Sequence, residues 1–112
     1  MRRLTPDDAR ASLDRLRAAL ASSPRAAARG RLGQRSTIEL IDDWRGRVQS
    51  LDIVPDALPN LFFSQARRHV RHPDVVEPLV REERWLRQKL GEVPSGYGWR
   101  PYFGRHALDD DD

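Results

Sequence analysis

The chain has 112 residues, 38% of them hydrophobic and 33% charged, which is enough for one shared core and too few for two. Its 20 cations against 17 acids hide a segregation: the run Asp109–Asp112 is wholly acidic, and without it 13 acids face the same 20 cations. The absence of cysteine excludes disulfides, thiolate metal sites and cysteine nucleophiles, and no apolar run nears the ~20 residues of a membrane span.

Nineteen of the cations are arginine, Lys89 being the exception. Arginine suits two-pronged contacts to phosphate or carboxylate, although a GC-rich coding sequence yields the same arginine and alanine bias. Met1-Arg2-Arg3 is followed by polar residues instead of an apolar stretch, so no secretory signal is read and a cytoplasmic protein is expected.

Thr5-Pro6-Asp7-Asp8 reads as a helix start: a capping threonine, proline at the first helical position, and two carboxylates at the positive end of the dipole. Ala9, Leu13, Leu16 and Leu20 make a narrow stripe, and Ser22-Ser23-Pro24 ends the helix. Residues 23–35 then read as a flexible basic connection holding Arg25, Arg29, Arg31 and Arg35, with one helical turn available at Ala26–Ala28.

Ser36-Thr37-Ile38-Glu39 has capping-box spacing. Thr37, Ile41, Trp44, Val48 and Leu51 follow at alternating steps of four and three, one apolar line down a helix. This is the strongest helical signal in the chain. Pro55 and Pro59 close it off, and Ile53, Val54 and Leu58 of the connector are expected to pack inward.

A third helix opens at Pro59 or Asn60, with Phe62, Phe63, Ala66 and Val70 on one side and Ser64, Arg67, Arg68 and Arg71 on the other. Asp74-Val75-Val76-Glu77 repeats the capping-box spacing and starts a fourth helix that Gly91 stops. Val75, Val76, Leu79, Leu86 and Leu90 share its inner face, while Glu82, Glu83, Arg84, Arg87 and Lys89 are expected to be exposed. Beyond Gly91, periodicity breaks. Glycines and prolines alternate with Tyr97, Trp99, Tyr102 and Phe103, and the acidic run follows.

The expected fold is all-α: a small four-helix domain over residues 1–92, with helices near 6–21, 36–51, 59–71 and 74–90. An irregular aromatic, glycine- and proline-rich C-terminal arm covers 93–112 and ends in an acidic tail. The core is expected at Leu13, Leu16, Leu20, Ile41, Trp44, Val48, Phe62, Val70, Leu79, Leu86 and Leu90.

Chemistry is sparse. A glycine-rich phosphate loop and a serine–histidine–acid arrangement are both missing. His69 and His72 share a helix face, but Glu77 and His106 are not tied to them, so no metal, cofactor or catalytic residue is assigned. The leading expectation is a non-catalytic binding module, an accessory or adaptor protein docking on a larger protein or nucleoprotein assembly, with Tyr97, Trp99, Tyr102 and Phe103 as a partner-docking arm. The alternative is a DNA- or RNA-binding domain in which Arg25, Arg29, Arg31, Arg35, Ser64, Arg67, Arg68 and Arg71 contact nucleic acid or an acidic partner. A small enzyme is a distant third. A protein partner leads, nucleic acid follows, and no membrane role is expected.

Overall fold

The structure is a computed structural model that describes residues 3–91. Five α-helices account for most of them: α1 (Pro6–Leu20), α2 (Pro24–Ala27), α3 (Thr37–Gln49), α4 (Leu58–His69) and α5 (Pro73–Lys89). Short 3-10 turns at Arg31–Gly33 and Pro55–Ala57 complete the backbone, and no strand occurs among the described residues. The aromatic arm and acidic tail lie outside the described residues.

Local chemistry explains where helices begin. Thr5 Oγ1 accepts from the Asp8 amide and the Thr5 amide donates back to Asp8, each at 3.0 Å, so a reciprocal box starts α1. Ser36 and Glu39 repeat it at α3, at 3.1 and 2.9 Å. For α5 the expected cap is wrong by two residues. His72 Nδ1 accepts from the Asp74 amide at 3.3 Å and Pro73 takes the first helical position, so the Asp74–Glu77 spacing goes unused. Pro78 therefore sits within the second turn of α5.

The end of α3 departs from expectation too. The Leu51 amide donates to Val48 O at 3.2 Å and the Asp52 amide to Arg47 O at 2.9 Å, a Schellman closure. This puts Leu51 at the left-handed position, φ 63°, and turns its side chain out, 70% exposed instead of continuing the stripe. Val54, expected to pack inward, is 61% exposed because the connector tightens into its 3-10 turn, while Leu58 is fully buried and Ile53 packs on the core edge.

Helix α1 occupies the middle of the packing, with α3 on one side and α5 on another; α4 packs on α5, and α2 on α3. Its narrow stripe suffices because Ala9, Ser12, Leu13, Leu16 and Leu20 are all buried. Around them lie Ile41, Trp44 and Val48 of α3, Phe62 and Phe63 of α4, and Val75, Val76, Leu79 and Leu86 of α5. Of the core expected from sequence, only Leu90 is part-buried at the margin. Trp44 meets Phe62 edge-on at 6.1 Å and Phe62 meets Phe63 at 4.8 Å, contacts worth about 0.5–1.5 kcal/mol each beyond area burial. The Trp44 indole donates to Gln65 Oε1 at 3.2 Å. Leu4 is also buried, and its amide donates to Asp56 at 2.6 Å, fastening the segment before α1 to the α3–α4 connector.

The largest correction concerns Glu82 and Glu83. Expected on the exposed side of α5, they are 6% and 5% exposed. As adjacent residues they point in different helical directions. Glu82 accepts from Ser12 Oγ at 3.0 Å and from Arg15 at 2.8–3.2 Å, clamping α5 to α1. Glu83 lies 3.4 Å from Arg67 and 2.9 Å from Arg87, clamping α5 to α4. Arg87 reaches on to Pro59 O and Asn60 Oδ1.

Candidate functional site

Residues 23–35 connect α1 to α3, and their turn chemistry gives them a defined path. Ser23 Oγ caps α2 by accepting from the Ala26 amide at 3.2 Å, and Ala26 is fully buried. Farther on, the Gly30 amide donates to Gln34 O at 3.1 Å, closing a loop around the 3-10 turn. A Cβ on Gly30 would meet the movable end of the Gln34 side chain and lie 3.0 Å from Gln34 Cβ, so Gln34 would have to shift to admit it. Leu32 stands fully exposed at the tip with φ 57°.

This path sets Arg25, Arg29, Gly30 and Arg35 against Arg71 and His72, which join α4 to α5. Together they line a groove of about 470 Å³ whose apolar wall includes Ala28, Val70 and Val75. Three chain segments, 25–37, 70–72 and the start of α5, thus bring four guanidinium groups to one concavity. A second concavity of about 230 Å³ adjoins it through Arg35 and is lined by Gln34, Leu40, Gln65 and Arg68.

Two of these arginines are held from behind. Arg29 donates to Glu39 Oε2 at 2.6 Å, and Arg35 lies 3.3 Å from Asp43. Their side chains nevertheless remain 64% and 60% exposed. Glu39 is also the carboxylate of the α3 capping box. The Ser36 amide, followed by Arg29, holds its carboxyl below the usual carboxylate range. Arg71 Nη1 points back at Arg67 O and Val70 O, at 3.4 and 3.3 Å, near the orphan carbonyls that end α4. Arg25 and Arg68 are exposed and make no ion pair within the described residues.

Arg67 belongs elsewhere: its side chain, 20% exposed, turns toward Glu83 and away from Arg68 and Arg71. Ser64 is exposed on α4 and lines neither groove. Arg31 opens the 3-10 turn. Tyr97, Trp99, Tyr102 and Phe103 lie outside the described residues, as does His106. Among the described residues, no group of three histidines or acids is placed to hold a metal ion, and no helix is long and apolar enough to cross a membrane.

Guanidinium groups keep their charge at all physiological pH values and donate five N–H groups in a rigid fork, so the groove offers anion binding. His72 spends Nδ1 on the α5 cap. Sequence reasoning found the arginines; it missed that Val70–Pro73 forms the opposite wall, because nothing local in that stretch points toward residues 25–35. No protein-family model, curated protein or solved structure matches this chain.

Proposed function

We propose that the protein is a non-catalytic binding module of a nucleoprotein assembly, and that Arg25, Arg29, Arg35 and Arg71, extended by Arg68, grip the phosphate backbone of a nucleic acid. One observation carries the reading: arginines far apart in sequence converge on one groove, and two of them are oriented by carboxylates while remaining open to solvent. Held guanidinium forks lose less side-chain entropy on meeting a phosphate than free ones. Among the described residues, no phenylalanine, tyrosine or tryptophan lines the groove, which favours backbone contact over base reading.

The test is duplex affinity as a function of salt. Each phosphate contact contributes about −0.9 to the slope of log K against log salt, and each of Arg25→Ala, Arg68→Ala and Arg71→Ala flattens it by about one contact. Affinity that ignores salt, or survives the triple substitution unchanged, overturns the proposal.

A second reading is an adaptor docked on protein. Its support is a set of exposed apolar side chains flanking the α3–α4 connector: Leu51, Val54 and Leu61, the last 50% exposed. On that reading, Leu61→Asp abolishes co-purification of a partner and leaves nucleic-acid affinity unaltered.

A further inference from the structure

The arginine groove is a hollow, and that limits what it can hold. A duplex presents its phosphodiesters on a convex surface, one negative charge each. Such a surface touches the rim of a hollow without filling it. At about 470 Å³ the groove has the size of a small-ligand pocket. Ala28, Val70, Pro73 and Val75 give it an aliphatic wall, and Thr37 adds a hydroxyl. The guanidinium groups of Arg25, Arg29, Arg35 and Arg71 converge on the same space. The hollow therefore suits a group that enters it, concentrates negative charge at one point, and has an apolar body attached.

The carboxylates nearby stand behind the cations. Glu39 lies 2.6 Å from Arg29, Asp43 lies 3.3 Å from Arg35, and Asp74 lies 3.4 Å from His72 Nδ1. None of the three lines the groove. Arg25 makes no ion pair within the described residues. His72 Nδ1 accepts from the Asp74 amide, so the neutral ring keeps its proton on Nε2 and has a donor to offer.

A phosphomonoester meets this description better than a phosphodiester. It carries about 1.5–2 negative charges at pH 7 and three strong acceptor oxygens, which several guanidinium forks can share. The neighbouring concavity of about 230 Å³ shares Arg35 with the groove and adds Gln34, Gln65 and Arg68. Gln65 Oε1 already accepts from the Trp44 indole, which leaves its amide nitrogen to donate. A large hollow followed by a smaller polar one is the order that the end of a strand requires.

We propose that the groove binds the terminal phosphomonoester of a nucleic-acid strand. The terminal nucleoside lies on the aliphatic wall, and the next backbone phosphate lies at Arg35 and Arg68. This rests on the phosphate-backbone reading above and adds to it a selectivity for strand ends.

Hairpin duplexes of one sequence test it, bearing a 5′-phosphate, a 3′-phosphate, or hydroxyls at both ends. A covalently closed duplex of the same sequence supplies a probe without an end. Fluorescence anisotropy gives the affinity of the full chain for each at one salt concentration. One phosphorylated hairpin is expected to bind at least about tenfold tighter than the hydroxyl and closed forms, the worth of one charge-assisted contact. Arg25→Ala and Ala28→Glu each erase that preference; both positions are exposed, so the core is untouched. Arg68→Ala lowers affinity for every probe and keeps the preference. Equal affinity for all four probes overturns the inference and leaves the backbone grip standing. Absence of binding to any probe at low salt overturns both. A preference that survives Arg25→Ala and Ala28→Glu places the strand end elsewhere and overturns the inference. So does a free nucleoside monophosphate that binds as tightly as the phosphorylated hairpin, which would make the groove a nucleotide site.

Discussion

Arginine does opposite things at the α4–α5 seam and in the groove between residues 25–37 and 70–73. Arg67 and Arg87 are 20% and 21% exposed, drawn inward by the buried Glu83. Arg29 and Arg35, paired with half-exposed Glu39 and Asp43, keep most of their surface in water. What separates them is the burial of the carboxylate. A buried anion has lost its hydration and needs its cations for charge balance. A carboxylate in water asks little, so its arginine is steered without being consumed. Counting arginines on a helix face therefore overstates the docking surface; what counts is the acid behind each one.

The comparison breaks most readily at Arg67. Arg67→Ala is expected to destabilise the fold by about 3 kcal/mol, the lower end of the range for breaking a buried pair, because Arg87 still holds Glu83. Denaturant midpoints give the loss, and the salt slope of any nucleic-acid binding stays unchanged. A neutral Arg67→Ala would mean that the seam is as wet as the groove. At the α1 seam, Ser12→Ala removes one donor from Glu82 and costs about 1–2 kcal/mol by the same measurement.

Acid sharpens the contrast further. The Thr5 amide, with Lys89 assisting against partial burial, holds the Asp8 carboxyl below its ordinary range, as the Ser36 amide and Arg29 hold Glu39. Both are more acidic folded than unfolded. Their contribution is complete above the ordinary carboxylate range and is lost as pH falls through the lowered folded values. Unfolding followed from neutral pH to about pH 3 should show this decline. Asp8→Asn should be less stable at neutral pH and flatter on the acid limb; an acid limb identical to that of the parent chain rejects the assignment.

The smallest effect is the most telling for function. Glu39→Gln releases Arg29 while keeping a side chain that can still cap. Stability should fall slightly and duplex affinity should fall, because Arg29 loses the carboxylate that orients it. Unchanged affinity would remove Arg29 from the binding surface.

The sequence by itself determined that the described chain is helical, where α1 and α3 begin, and nearly all of the core. Caps and periodicity act within a few residues, and Thr5–Asp8 and Ser36–Glu39 are complete in four. It also exposed which segments are rich in arginine. Tertiary structure alone decided which arginines remain open. Glu82 meets Arg15 across 67 residues of chain and Ser12 across 70, and Arg25 shares a groove with Arg71. Desolvation of a carboxylate depends on every element packed around it, and no window along α5 contains α1. The outward turn of Leu51 was hidden for a related reason: apolar periodicity continues through a position that the backbone closure has already taken into the left-handed region.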